Sequence, residues 1–200
     1  MSHGYSDRIA HAFAFAAKHG TSRPRESGTG SWPTAPANVA VILARHGAEE
    51  TAIVAGVLRP VVNDAEAPRR QLLLEKVREK FGDRVVELLG QVLEPRFDSR
   101  GKQRSWEVAR MEFLTSLATA ETTALDVLAA HEIYACGALL TDVRRLGPEY
   151  LSTYAPGGGP AVRRWFDGVV DILTRHPTGP RPALLVELRL LAGKLGGLLD

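Results

Sequence analysis

The chain has one cysteine, Cys136, among 200 residues, so no internal disulfide can form. It also has no uninterrupted apolar run near the roughly 18 residues that mark a membrane span. Its first 20 residues scatter Ser6, Asp7, Arg8, His11 and Lys18 among alanines and lack the build of a secretory signal, so the expected location is a bacterial-type cytoplasm. Charge of one sign is missing too: 25 Lys and Arg stand against 23 Asp and Glu, a net charge of +2 that makes no electrostatic case for bulk nucleic-acid binding. No internal repeat or low-complexity domain is present. What is present is 44% hydrophobic and 24% charged residues, the composition of an ordinary globular domain. A chain of this size buries about 70% of its unfolded surface and needs neither disulfide nor structural metal to be stable.

Helical periodicity dominates. Ile9, Phe13 and the Ala16-Ala17 pair mark one face of a first helix behind the N-cap candidate Ser6. Residues 20–36 hold three glycines and three prolines and read as a loop. Residues 38–46 and 49–58 read as short helices separated by Gly47, the second apolar on all sides and hence central to the core. Strand propensity in VAVIL and AIVAGVL is opposed by the lack of alternation or hairpin turns. Residues 72–81 and 84–93 follow as helices broken at Gly82-Asp83. Pro95 opens a polar connection over 95–104, and Ser105 caps a helix reaching Leu117. The longest periodic segment, 122–146, stops at Gly147-Pro148. A tight loop at 155–160 precedes helices at 162–173 and 183–199. The expectation is a single all-α domain over 1–200, a multi-helix bundle with its C-terminal helices between 161 and 200.

Read together, the segments resemble the HD-domain phosphohydrolases, in particular their RelA/SpoT hydrolase-like branch. The pieces are FAFAAKHGTSRPRESGTGSW, NVAVILARHGAEETAIVAGVL, LEKVREKFGDRVVELL, WEVARMEFLTSL and ALDVLAAHEIYACGALLTDVRRLG, in the family's order over nearly the whole chain. The resemblance implies an HD-type helical bundle. It also implies a divalent metal held by a His, an adjacent His-Asp pair and a later Asp. Here those positions fall on Ala35 or Pro36, on Arg59-Pro60 and on His131. Ala, Pro and a permanently protonated guanidinium offer a cation no ligand, so metal-dependent phosphohydrolysis is not expected and neither metal nor cofactor is anticipated.

The same resemblance directs attention to the residues around the former metal site. Arg59 either grips an anionic group through its guanidinium fork or simply pairs with a carboxylate such as Asp64. Pro60 is expected to kink or end its helix. Asn63 and Asp64 fall on a Glu-Asp pair that assists water in active relatives; Asp64 is either a base or a turn cap. His131, Glu132 and Tyr134 form the richest chemical cluster, with 131 and 134 on one helix face. Their competing reading is a buried His bonded to a backbone carbonyl. Arg23, Arg25, Trp32, Trp106 and Arg110 are ligand-binding candidates, with Lys102 and Arg104 at the rim. Cys136, among small residues, and His19, His46 and His176, without spacing partners, read as structural. The leading function is a metal-free degenerate HD protein whose pocket binds a small anionic or nucleotide-like ligand. The first alternative is a metal-independent acid–base enzyme (cyclase, isomerase, lyase or dehydratase) using His131, Arg59, Tyr134, Asp64 and Glu132; the second is a regulatory or structural subunit. The expected partner is a small molecule, with no nucleic acid and no membrane, and a homodimer is left open.

Overall fold

Caps and stops written locally in the sequence set most helix boundaries of the computed structural model, which describes residues 5–20 and 34–199. Helix α1 (Asp7–His19) begins where Ser6 Oγ accepts the Ile9 N–H at 3.1 Å, with Asp7 in the first turn and Lys18 and His19 in the last, the polarity the helix dipole favours. Helices α2 (Thr34–Arg45) and α3 (Glu50–Asn63) follow, then α4 (Ala67–Phe81) and α5 (Asp83–Val92) on either side of Gly82. Ser105 Oγ accepts the Val108 N–H at 3.3 Å to open α6 (Trp106–Ser116). Helix α7 (Thr122–Leu146) ends at Gly147, whose φ of +87° only glycine adopts without strain. The chain closes with α8 (Leu151–Tyr154), α9 (Gly158–Arg175) and α10 (Pro182–Gly196). No strand occurs among the described residues, and the fold is all-α as the periodicity predicts.

Several boundaries differ from the sequence reading, most of them at prolines; α4, for one, starts at Ala67 with Pro68 in its first turn rather than at 72. Helix α2 starts at Thr34 and takes Pro36 into its first turn, so the predicted loop ends earlier than 36; its residues 21–33 lie outside the described residues. Helix α9 starts at Gly158 rather than after the predicted loop, since Pro160 in a first turn has no N–H to waste. Most consequentially, α3 does not stop before Pro60 but continues to Asn63.

Helices α3 and α7 form the centre. Along α3, every residue from Ala52 to Arg59 is buried, and along α7 every residue from Ala124 to Ile133. Helices α1, α2, α5 and α7 pack against α3, while α10 lies along α7 and α9 along α10. By length and apolar composition α7 is able to cross a membrane, but 72% of that apolar window is buried inside the bundle. Gly56 is where α2 comes closest to α3: a Cβ there would stand 2.7 Å from Leu43 Cδ1 and 3.0 Å from Val39 Cγ1. Gly56→Ala is therefore expected to destabilise the fold by about 1–3 kcal/mol through overpacking, measured as a lower urea midpoint at unchanged m-value.

Candidate functional site

The site begins with a missing backbone hydrogen bond. Residue 60 of an ordinary helix would donate its N–H to the carbonyl of Gly56, but Pro60 has no N–H and the carbonyl is left without its helical partner. Helix α7 supplies the replacement: His131 Nε2 lies 2.9 Å from Gly56 O, and because a carbonyl only accepts, Nε2 carries the proton. His131 is 7% exposed. Burial, helped by the positive charge of Arg59, holds its pKa well below the usual 6.5, so the ring is neutral. A desolvated imidazole beside a guanidinium resists a second proton, which argues against the acid–base role that the sequence offers His131.

Arg59, next along α3, is anchored at one end of its guanidinium and faces a carboxylate at the other. Its Nε donates to Val92 O at 2.7 Å, satisfying one of the carbonyls orphaned at the C-terminus of α5 with a charge the helix dipole favours. Its Nη2 lies 3.9 Å from Glu94 Oε1. The same oxygen accepts from Arg110 Nη1 at 2.8 Å, so two guanidiniums flank one carboxylate oxygen. Glu94 is itself braced: its N–H donates to Asn63 Oδ1 at 3.0 Å, and its carbonyl accepts from Arg70 Nη1 at 2.7 Å. Arg110 is held between aromatic faces, 4.0 Å from the Trp165 centroid and 5.4 Å from that of Trp106. Burial works against its charge, but Tyr154, Glu94 and Glu132 around it raise its pKa. Glu132 accepts from Trp165 Nε1 at 2.9 Å; burial raises its pKa although Arg110 and Arg59 pull it down.

Of the residues singled out from sequence, the fold thus brings Arg59, Asn63, Arg110, His131 and Glu132 into one buried neighbourhood between α3, α6 and α7. Glu94 carries the network and escaped sequence reasoning; its only signal is an isolated acid opening an arginine-rich connection. The carboxylate partner of Arg59 is Glu94 and not Asp64, which is exposed at the end of α3, 3.7 Å from Arg96. Trp106 packs on Arg110 and is not a free stacking surface. Tyr134 is half-buried against the core. Arg104 is tied to the carbonyls of Pro95 and Phe97 and to Glu112, and Lys102 is exposed. Arg23, Arg25 and Trp32 lie outside the described residues. His46, read as structural, pairs with Glu187 at 2.7 Å. Burial pushes the Cys136 thiol up to about 12, which leaves it inert at neutral pH.

These residues do not fit the divalent metal that the resemblance implies. Arg59 and Pro60 have no lone pair to offer, and Nε2 of His131 is committed to Gly56 O. No group of three His, Cys, Asp or Glu side chains suited to a metal occurs among the described residues.

Two outcomes follow from the His131 bond. His131→Leu should cost about 1–3 kcal/mol by leaving Gly56 O unpaired. In a Pro60→Ala background, the residue-60 N–H returns to that carbonyl, so the cost should shrink by about 1 kcal/mol; strictly additive costs in a double-mutant cycle would refute the pairing. Burial of the same ring sets a pH dependence. Below about pH 6.5 the unfolded chain protonates His131 while the folded chain does not. Stability contributed above that pH is then lost on acidification, at up to about 1.4 kcal/mol per pH unit. Chemical denaturation at pH 7 and pH 5 should show a shallower loss for His131→Leu than for the parent.

A family model for the HD domain matches residues 12–123. No curated protein matches the chain. Among solved structures, the crystal structure of lmo0812 from Listeria monocytogenes EGD-e is 22% identical with a TM-score of 0.65, covering 81% of this chain and 98% of its own. A metazoan ortholog of SpoT, described as hydrolysing ppGpp and acting in starvation responses, is 19% identical with a TM-score of 0.72, covering 98% of this chain and 99% of its own. The family match takes in α3, α5 and α6, the helices on which Arg59 and its partners converge, and the chain belongs to the HD domain family.

Proposed function

We propose that this chain is a metal-independent member of the HD family whose former phosphohydrolase pocket binds a small anionic or nucleotide-like ligand. The observation that carries the reading is Arg59. At the position where the resemblance places a metal-binding histidine, a buried guanidinium is anchored to Val92 O and turned toward Glu94. A fixed cation here opposes entry of a second one and favours an anionic group in its place. In this reading the protein works in the cytoplasm on a small molecule.

A second reading, a metal-independent acid–base enzyme, is favoured by Glu132 rather than His131. Burial raises the affinity of Glu132 for a proton, and Arg110 stands beside it to stabilise the carboxylate after transfer. The two readings share the pocket and differ in whether the bound molecule leaves changed.

Two measurements test the shared claim of metal independence. Protein dialysed after purification should hold well under one manganese, iron or zinc per chain. With added Mn²⁺ it should release no pyrophosphate from ppGpp, the molecule hydrolysed by the SpoT ortholog of the same fold. One tightly held metal per chain, or manganese-dependent turnover, would overturn it.

A further inference from the structure

We infer that Arg59, Arg70 and Arg110 form a metal-free subsite for a compact oxyanion, bound through guanidinium N–H groups around Glu94. The inference rests on the small-ligand reading and gives that ligand its chemical class.

The three side chains meet at one residue. Arg59 and Arg110 flank Glu94 Oε1, and Arg70 donates to the carbonyl of Glu94 and to that of Asn63, the latter at 2.6 Å. Each nevertheless keeps a buried nitrogen with no hydrogen-bond partner: Nη2 of Arg59, Nε of Arg70 and Nε of Arg110. Arg59 is only 6% exposed, so its unpartnered nitrogen lies inside the fold and away from bulk solvent. A buried unpaired donor is costly, more so when charged, and three of them on side chains gathered around Glu94 call for a further acceptor.

Charge points the same way. The buried acids facing these three cations are Glu94 and Glu132. Asp64 is largely exposed and pairs with Arg96, which adds a fourth positive charge beside Arg70. The neighbourhood of Glu94 therefore holds four arginines against Glu94, Glu132 and Asp64, an excess positive charge that an oxyanion would balance.

The aromatic residues argue against recognition of a base by the described part of the site. Trp165 lies between Phe113, stacked at 6.3 Å, and the guanidinium of Arg110, and Trp106 lies beneath the same guanidinium. These indole faces serve the arginine. The subsite thus reads charge and acceptor geometry.

Isothermal titration in HEPES–chloride with inorganic phosphate, pyrophosphate, malonate and guanosine tests the assignment. At least one anion should bind, with the phosphates and malonate telling tetrahedral from carboxylate chemistry, and guanosine should not. Arg59→Gln should weaken anion binding at least tenfold, and Arg59→Lys, which keeps charge and bulk but not the fork, should weaken it less. Glu94→Gln should strengthen binding severalfold, because it frees two guanidiniums from a competing carboxylate; a purely structural network would show no gain. Melting curves establish that each variant is folded. If neither the parent nor Glu94→Gln binds any of the anions at millimolar concentration, the inference is overturned. Binding of guanosine without anions would overturn it while leaving the small-ligand reading intact, whereas that reading falls on metal retention or manganese-dependent turnover.

Discussion

The carbonyl of Gly56 is the point on which the centre of the molecule depends. It sits on the most buried helix, at the one place where α2 approaches closely enough to exclude a side chain, and Pro60 denies it the partner every helical carbonyl expects. A buried carbonyl without a donor is expensive in a fold whose total stability is only about 5–15 kcal/mol. His131 removes that cost by reaching across from α7, and in doing so joins the two central helices by a polar contact inside an otherwise apolar interface. The same contact orients this histidine, while burial beside Arg59 keeps it neutral.

Beside it, the electrostatic organisation is that of a small ionic lattice. Arg59, Glu94 and Arg110 alternate in sign, Glu132 and Trp165 close one side, and Asn63 and Arg70 hold the backbone of Glu94 in register. Charges taken this far out of water persist only when their hydrogen-bonding capacity is filled. Most of it is filled here, and the few open positions are all donors on arginine.

Much of the architecture was legible because it is encoded locally. Ser6 and Ser105 announce helix starts, Gly147-Pro148 announces a stop, and the apolar run through 52–58 announces a core helix. The misreading at Pro60 came from the same local logic: proline removes a hydrogen bond, but whether the helix ends depends on whether something distant replaces it, and His131 lies 75 residues away. Glu94 was hidden for a related reason. An acid in a polar connection looks solvated until α3 and α6 deliver Arg59 and Arg110 to either side of it. The choice of Glu94 over Asp64 as partner for Arg59 likewise reflects which carboxylate the end of α5 carries inward.

The Pro60–Gly56–His131 arrangement also bears on the history open to such a chain. The two side chains stand at positions where the resemblance places metal-binding aspartates, and each now makes the other necessary. Returning residue 131 to Asp sets a carboxylate against a carbonyl and strands Gly56 O; returning residue 60 to Asp restores the helical N–H and leaves a buried imidazole redundant. Meanwhile Arg59 remains as a cation in the middle of any rebuilt site. Residues 60 and 131 are therefore coupled, so that changing either one alone alters what the other contributes to stability.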